Sequence, residues 1–330
     1  MEVISLKDDT RLSGCYAATV GFFDGVHKGH RYVVEQLRRQ ADARRLLTMV
    51  ITFDRHPRQV VHSDWQPLLL TTLDEKIQLL TTTGVDMLVV LHFDQQMASL
   101  TARDFMQQVL KDKLGVRLLL TGYDNRFGHR EKDSFEGFDD YVCYGREMGI
   151  DVVCGEGLQT SVFRSQASGL RLQTSDFGPY ISSSLIRRLI REGHVAEAAQ
   201  CLGRPYCLGG VVVHGFQEGR KMGFPTANML AEDGRLLPKD GVYVVNVIFH
   251  SSSSTFYGLT NIGMRPTFDG HQRTIETHIL DFEGDIYGQS IGIEFVARLR
   301  DEKHFGSTEE LAQQMACDAE TARLMIATMK

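Results

Sequence analysis

Between Tyr16 and Val153, short apolar runs alternate with stretches of helical period, and this constrains the fold more than any other feature of the chain. Tyr16–Val20, Leu46–Phe53, Met87–His92, Val116–Thr121 and Val152–Val153 read as strands. Arg31–Arg45, Thr72–Thr83, Thr101–Leu114 and Phe138–Met148 read as helices, and Thr72 with Glu75 three residues on has the form of a capping box. Such alternation predicts βαβ units and a parallel sheet covered on both faces. Gly155–Pro179 loses the period and reads as a loop, and Ile181–Cys201 reads as one helix.

After Gly203-Arg-Pro205 the character changes. Leu208–Val213, Gly241–Ile248, Thr255–Ile262, Thr274–Leu280 and Ile291–Leu299 are strand-like, parted by Ser251–Ser254, Phe268-Asp-Gly270 and Phe282-Glu-Gly-Asp285. Short strands with Gly-bearing turns predict an antiparallel barrel. Ser307–Thr328 closes as a helix, with Ser307 and Glu310 in capping-box spacing. At 330 residues the chain is long enough for two cores. The boundary falls near residues 185–203, and we divide the chain into domains at 1–187 and 188–330.

Composition narrows the function. A net charge of −6 without a long basic run argues against nucleic acid, and the cluster Arg38, Arg39, Arg44, Arg45 beside Glu35 and Asp42 reads as a solvated helix face. No run has the apolar length of a membrane span, and Met1–Asp9 lacks the layout of a signal peptide. Six cysteines are scattered without a CxxC pair, which predicts reduced cytosolic thiols and neither zinc nor disulfides.

The first candidate site is Ala18-Thr-Val-Gly-Phe-Phe-Asp-Gly-Val-His-Lys-Gly-His30, where a strand gives way through Gly21 and Gly25 to a helix. Open parallel sheets bind phosphate there, outside the carboxyl end of a strand and at a helix N-terminus. Thr52-Phe-Asp-Arg-His-Pro57 and Thr121-Gly-Tyr-Asp-Asn-Arg-Phe-Gly128 end further strands, and Ser182-Ser-Ser-Leu-Ile-Arg187 opens a helix as a second anion site. Nucleotidyl transfer fits this set. An attacking phosphate is already anionic, so no base is needed and the protein positions groups and stabilises charge. His27 and His30 would face the α and β phosphates, Arg187 would clamp the departing pyrophosphate, and Asp124 would accept from adenosine. Taken singly, the glycines could be turn residues, Asp124 a loop cap and Ser182–Ser184 an N-cap; their common order at strand ends makes accident a poor account.

The second half carries His214-Gly-Phe-Gln-Glu-Gly-Arg-Lys-Met-Gly-Phe-Pro-Thr-Ala-Asn228. Gly215, Gly219 and Gly223 with Arg220 and Lys221 make a cationic loop able to fold N–H groups over phosphates, without a Walker A ending. Thr226 and Asn228 lie two apart on one side of an extended segment, and such neutral oxygens beside ATP phosphates suit Mg²⁺. Phosphorylating an alcohol needs a base, and Glu276, sharing a strand face with Thr274 and His278, is the candidate. Alone, Glu276 would read as an exposed strand residue.

The four motifs of the first half resemble the FAD synthetase module of bacterial bifunctional riboflavin kinase/FAD synthetases, in the HxGH nucleotidyltransferase superfamily. From about Leu202 onward, Gly223-Phe-Pro-Thr-Ala-Asn228, Gly241-Val-Tyr243, Asn261-Ile-Gly-Met-Arg-Pro-Thr267, Ile275-Glu-Thr-His278 and Arg298-Leu-Arg-Asp-Glu-Lys-His-Phe305 resemble the riboflavin kinase family. The resemblance implies a Rossmann-like parallel-sheet domain followed by a six-stranded antiparallel β-barrel with a C-terminal helix. It implies that ATP phosphorylates riboflavin to FMN and that a second ATP adenylates FMN to FAD, releasing pyrophosphate.

Carried to matched positions, Gly21, Phe23, Asp24, Gly25, Asp124, Ser183 and Ser184 serve ATP in the first domain, and Gly215, Gly219, Arg220 and Gly223 in the second. His27, His30 and Arg187 act in adenylylation, and Glu276 is the kinase base. Thr226 and Asn228 hold Mg²⁺, and His56, Pro57, Asn261, Arg265 and Arg298 hold flavin. The expected partners are riboflavin, FMN and ATP, with no nucleic acid or membrane, for a cytoplasmic monomer or weak homo-oligomer. Two departures stand out: Gly155–Pro179 is longer than the family's connection, and Asn125-Arg126 replaces an aromatic and a variable residue. The rivals are a nucleotidyltransferase–kinase fusion acting on another phosphorylated cofactor precursor, and a flavin-binding regulator with an inactive synthetase half.

Overall fold

The computed structural model describes residues 1–6, 10–61, 68–122, 127–129, 136–159, 180–215, 219, 223–250, 252, 254–267 and 270–329. The chain divides into two compact units, Met1–Ser183 and Ser184–Lys330.

The first unit is a six-stranded parallel sheet in the order β1-β4-β3-β2-β5-β6. Its strands are β1 (Glu2–Ser5), β2 (Tyr16–Val20), β3 (Leu47–Phe53), β4 (Met87–Leu91), β5 (Val116–Thr121) and β6 (Asp151–Cys154). Every residue of β2 and β4 is buried, as strands covered on both faces require. The period of two divides them between layers. Met49, Ile51, Val89 and Leu91 join one core with Phe105, Met106, Val109 and Leu110, while Val50 and Leu88 join another with Val34 and Leu80. From β2 the chain proceeds outward to β3 and β4, then crosses to β5 on the other flank, so the order reverses beside β2. Ligands of such sheets bind at that reversal.

The expected helices form with informative differences. α1 (Lys28–Arg44) begins three residues before the expected start, because His27 serves as its N-cap. α3 (Leu73–Thr81) carries the anticipated box: Thr72 Oγ1 accepts the Glu75 N–H, and the Glu75 carboxylate accepts the Thr72 N–H. α2 (Pro57–Val61) and α4 (Gln95–Ser99) are single turns too short to show a period. The stretch read as a regular helix over Thr101–Leu114 opens as α5 (Ala102–Asp104) and continues as a π-helix over Phe105–Lys113. The wider turn keeps Phe105, Met106, Val109 and Leu110 on the sheet, four apart in pairs. α6 (Phe138–Met148) ends at Gly149, at φ 70°. β1 carries no long apolar run and is mostly exposed at the sheet edge, so sequence pattern does not reveal it.

The second unit is a closed antiparallel barrel in the order β10-β11-β8-β7-β12-β9. Its strands are β7 (Tyr206–Val213), β8 (Thr226–Ala231), β9 (Gly241–Phe249), β10 (Thr255–Thr267), β11 (Gly270–Ile279) and β12 (Ser290–Arg300). The parallel sheet, six-stranded barrel and C-terminal helix are the expected fold class. β8, which the strand pattern alone misses, buries Ala227 and Met229 and turns Thr226 and Asn228 outward. The helix expected over Ile181–Cys201 is two, α7 (Ser183–Glu192) and α8 (Val195–Leu202), broken at Gly193. Gly193 sits at φ 87°, its N–H bonds Ile190 O, and the His194 N–H bonds Leu189 O. The closing helix, α9 (Thr308–Met329), packs Ala319, Ala322 and Ile326 on Val242, Val244 and Leu259 of the barrel wall. Its cap differs from a full box: Ser307 Oγ accepts the Glu310 N–H, but the Glu310 carboxylate accepts from Gly306.

Candidate active sites

In the first unit, the turn from β2 into α1 is built by backbone conformations that side chains rarely adopt. Phe23 and Val26 sit at φ 54° and 39°, and Gly25 at 80°. Such geometry persists only where surroundings enforce it. Asp24 is the principal anchor, 3% exposed: its carboxylate accepts from the Leu70 N–H at 3.0 Å, the Thr71 N–H at 3.1 Å and the Thr71 hydroxyl at 3.2 Å. The Gly25 N–H donates to Thr71 Oγ1, which closes the frame.

That frame delivers His27 and His30. His27 Nδ1 accepts the His30 N–H at 3.2 Å, and the two rings stack with centroids 3.6 Å apart. The Phe23 ring meets His30 edge to face at 5.1 Å. Ser183 Oγ donates to the Asp24 carbonyl at 3.0 Å, so the Ile181–Arg187 motif begins against this turn. Gly29 allows the approach, since a Cβ there would lie 2.9 Å from Ile181 O. Ser184 and Arg187 follow on α7, within the second compact unit. Asp124, with Tyr123, Asn125 and Arg126, lies outside the described residues.

The ends of β2 and β3 are joined by a residue the sequence reading passes over. Lys76 on α3 is 3% exposed, and its Nζ donates to the Phe22 carbonyl at 3.1 Å and the Phe53 carbonyl at 2.8 Å. It also stands 4.1 Å over the Phe22 ring, and Thr52 Oγ1 donates to the same Phe22 carbonyl. Burial brings the Lys76 ammonium down to about 8, although Asp24 and Asp54 pull it upward. A signal was present: Lys76 lies four residues before buried Leu80 and so on the inner face of α3. His56, followed by Pro57 at the start of α2, sets its ring edge on Phe22 at 4.6 Å. Next to it, Asp54 accepts from the Phe93 N–H and His92 Nδ1. Burial pushes the Asp54 carboxyl up, but these two partners outweigh it and hold it below its usual range.

In the second unit the candidate residues gather on the outer face of the barrel. Asn228 on β8, Glu276 on β11 and Asn261 on β10 lie in register across three strands, and Thr226 faces His278 two pairs along. Thr226, Asn261, Glu276 and His278 line a cavity of about 600 Å³, closed by Glu302–Thr308 and by Leu311, Met315 and Asp318 of α9. A volume of that order suits an organic ligand of moderate size. The Thr274 hydroxyl donates to Glu276 at 3.4 Å. His278 Nδ1 lies 2.9 Å from Pro225 O, and a carbonyl only accepts, so Nδ1 carries the proton.

The glycine loop meets this row. A Cβ on Gly215 would lie 2.2 Å from the Asn228 amide nitrogen, and one on Gly219 would lie 3.4 Å from Thr226 Oγ1. Gly223 holds φ 82°, while Arg220 and Lys221 fall outside the described residues. Arg265 stands opposite Gln272 on β10.

Arg298 does not line the cavity. It donates to the Asp240 carbonyl and to Asp301, over the Tyr243 ring, and braces the turn at Gly193. Arg300, two residues on, does line it, locked by a bidentate bond to Asp318 at 2.7–3.1 Å. Sequence spacing cannot distinguish these alternate arginines of one strand.

Comparison with known proteins assigns both units. Residues 9–161 match the FAD synthetase family model, and residues 202–326 match the riboflavin kinase model. A bifunctional riboflavin kinase/FMN adenylyltransferase of Escherichia coli K12 is 36% identical over 310 residues, covering 94% of this chain and 92% of its own. The protein of that description from Haemophilus influenzae is 34% identical, covering 94% of each, and one from Bacillus subtilis is 32% identical, covering 92% and 90%. A crystal structure from Streptococcus pneumoniae, described as a macrolide-efflux protein, superposes with a TM-score of 0.84 at 30% identity, covering 98% of this chain and 99% of its own. That description concerns the pneumococcal chain; among the described residues here, no helix is long and apolar enough to cross a membrane.

A parallel-sheet unit of the FAD synthetase type joined to a barrel of the riboflavin kinase type makes a two-activity flavin transferase. The chain belongs to the bifunctional riboflavin kinase/FMN adenylyltransferase family. ATP is its co-substrate, and FMN and FAD are its products.

Proposed function

We propose that the barrel phosphorylates riboflavin and the parallel-sheet domain then adenylates the FMN formed, with functional domains at 1–187 and 188–330. The observation that carries the site assignment is the in-register row Asn228–Glu276–Asn261, of which Glu276 and Asn261 line the cavity, with Gly215 close against Asn228. In the kinase step the riboflavin terminal hydroxyl attacks the γ-phosphorus of ATP, its proton passes to the Glu276 carboxylate, and ADP leaves. Gly215, Gly219, Arg220 and Gly223 fold over the phosphates, while Asn261 and Arg265 are assigned to flavin, and Arg298 to holding the Asp301 segment of that region. Thr226 and Asn228 present neutral oxygens on one outer face, a donor set suited to Mg²⁺ shared with phosphates and water. Bound there, the ion would neutralise phosphate charge.

In the second step an FMN phosphate oxygen attacks the α-phosphorus of ATP and the bond to pyrophosphate breaks. The nucleophile is already anionic, so the protein contributes position and charge stabilisation. His27 and His30 face the α and β phosphates, Arg187 takes the departing pyrophosphate, and Gly21, Phe23, Gly25, Ser183 and Ser184 shape the phosphate cradle. Asp24 supports that cradle from behind, Asp124 serves the adenosine, and His56 with Pro57 borders the flavin. We assign the protein to the cytoplasm as a monomer or weak homo-oligomer, without nucleic-acid or membrane partners.

The test incubates purified protein with riboflavin, ATP and Mg²⁺ and separates the flavins over time. His30→Ala should accumulate FMN and form no FAD. Glu276→Ala should form no FMN from riboflavin yet convert supplied FMN to FAD. Loss of both activities in either folded variant overturns the two-site assignment.

A further inference from the structure

Lys76 is a cation sealed inside the first unit, and none of the assigned roles uses it. Full burial of an ammonium is costly and is tolerated where partners compensate. Its hydrogen-bond partners here are two carbonyl oxygens, at the ends of β2 and β3, on the edge of the sheet where ligands bind. The turn that follows β2 carries the buried Asp24 carboxylate and leads into His27. Without a cation, one carboxylate and two carbonyl dipoles would repel a polyphosphate and a flavin phosphate arriving nearby.

We propose that Lys76 is a positioning residue for adenylyl transfer: its ammonium clamps the ends of β2 and β3 and offsets the Asp24 charge behind the phosphate turn. The clamp acts through Phe22, whose carbonyl takes bonds from Lys76 and Thr52 and whose ring meets both the ammonium, at 4.1 Å, and the His56 ring, at 4.6 Å. The charged groups acting on Lys76 are Asp24, from the turn after β2, and Asp54, from the end of β3. Glu75 on its own helix is engaged with the Thr72 N–H. Burial sets the ammonium to lose its proton near 8, so the clamp loses its charge at mildly alkaline pH.

The inference rests on adenylyl transfer taking place at the His27–His30 turn. Full-length Lys76→Met and Lys76→Arg are compared with the unaltered protein from about pH 6 to about pH 10, following FMN to FAD and riboflavin to FMN in the same preparations. Lys76→Met should lower kcat/KM for adenylylation at neutral pH by about ten-fold or more, chiefly through KM, and leave the kinase step unchanged. The unaltered protein should lose adenylylation as pH rises through about 8, and Lys76→Arg, whose guanidinium stays charged, should not. A folded Lys76→Met with unaltered kcat/KM overturns the proposal, as does an alkaline decline that is absent from the unaltered protein or persists in Lys76→Arg. Should Lys76→Met fail to fold, the comparison with Lys76→Arg decides. His30→Ala separates the two levels: if it still makes FAD, the site assignment itself falls; if it does not while the Lys76 variants behave as the unaltered protein, only the role of Lys76 falls.

Discussion

Asn228 stands directly opposite Glu276 across the β8–β11 ladder, so a side-chain amide and a carboxylate share one outer patch of the barrel. The pairing is set by backbone register. Gln at position 276 preserves the strand and removes only the carboxylate, the group proposed to accept the proton. Glu276→Gln should therefore lower kcat for riboflavin phosphorylation by about 10²-fold or more, with KM little changed and FAD formation from supplied FMN intact. Steady-state kinetics of each half-reaction check this.

His27 has two duties that substitution can separate. As N-cap it accepts the His30 N–H, and its ring stacks on His30. Asn is a good N-cap, whereas Ala typically costs about 1 kcal/mol. His27→Asn should keep the melting temperature near that of the unaltered protein, and His27→Ala should lower it, while both lose adenylylation. Thermal unfolding paired with FAD assays distinguishes the cap from the chemistry.

Lys76 gives stability a pH dependence opposite in sign to its effect on activity. Its folded-state pKa of about 8 lies below its ordinary value of 10.5. The native state therefore releases this proton first, and the burial cost, about 3 kcal/mol, is fully present below about 8 and fades as pH rises toward 10.5. Relative to Lys76→Met, the unaltered protein should gain stability across that window. Denaturant midpoints measured in parallel for the two proteins check the sign.

The Arg300–Asp318 pair ties β12 to α9, and both side chains are mostly buried, at 16% and 7% exposure. Asp318 also accepts from Gln314 on its own helix. Asp318→Ala would leave a buried guanidinium without its carboxylate, a loss of about 3 kcal/mol. Because both residues line the barrel cavity, KM for riboflavin should rise as well. Urea unfolding and kinase assays read the two effects.

Gly29→Ala should disturb the first site selectively. The new Cβ would meet Ile181 O at 2.9 Å and the His27 ring at 3.0 Å. Backbone cannot yield as a flexible side chain can, so α1 or the Ile181 segment must shift. Adenylylation should fall while riboflavin phosphorylation persists, as the paired assays will report.

The parallel sheet was legible because its strands are buried on both faces and so are written as unbroken apolar runs, as in Met87–Leu91. The histidine turn was legible because glycine, aspartate and histidine at a strand end leave few alternatives. β8 was hidden because Thr226 and Asn228, the residues with chemistry to offer, interrupt its apolar pattern. The break at Gly193 was hidden because the apolar spacing of α7 runs on into α8 and masks a residue at positive φ. Lys76 is hard to read from sequence because a lysine in an amphipathic helix normally reaches solvent, and only the offset from Leu80 marks it as inward. The cavity wall from Glu302 to Met315 depends on how α9 lies on the barrel, which local sequence does not encode.

Residues Glu2–Ser5 form the outermost strand of the first sheet, in register with Met87–Val90. They shield an edge whose partner strand is apolar throughout. Trimming them, for instance through a late start codon in an expression plasmid, would leave β4 with unpaired amides facing solvent, a template on which further chains can add. Inclusion bodies from such a plasmid would then report a missing edge strand, not an unstable enzyme.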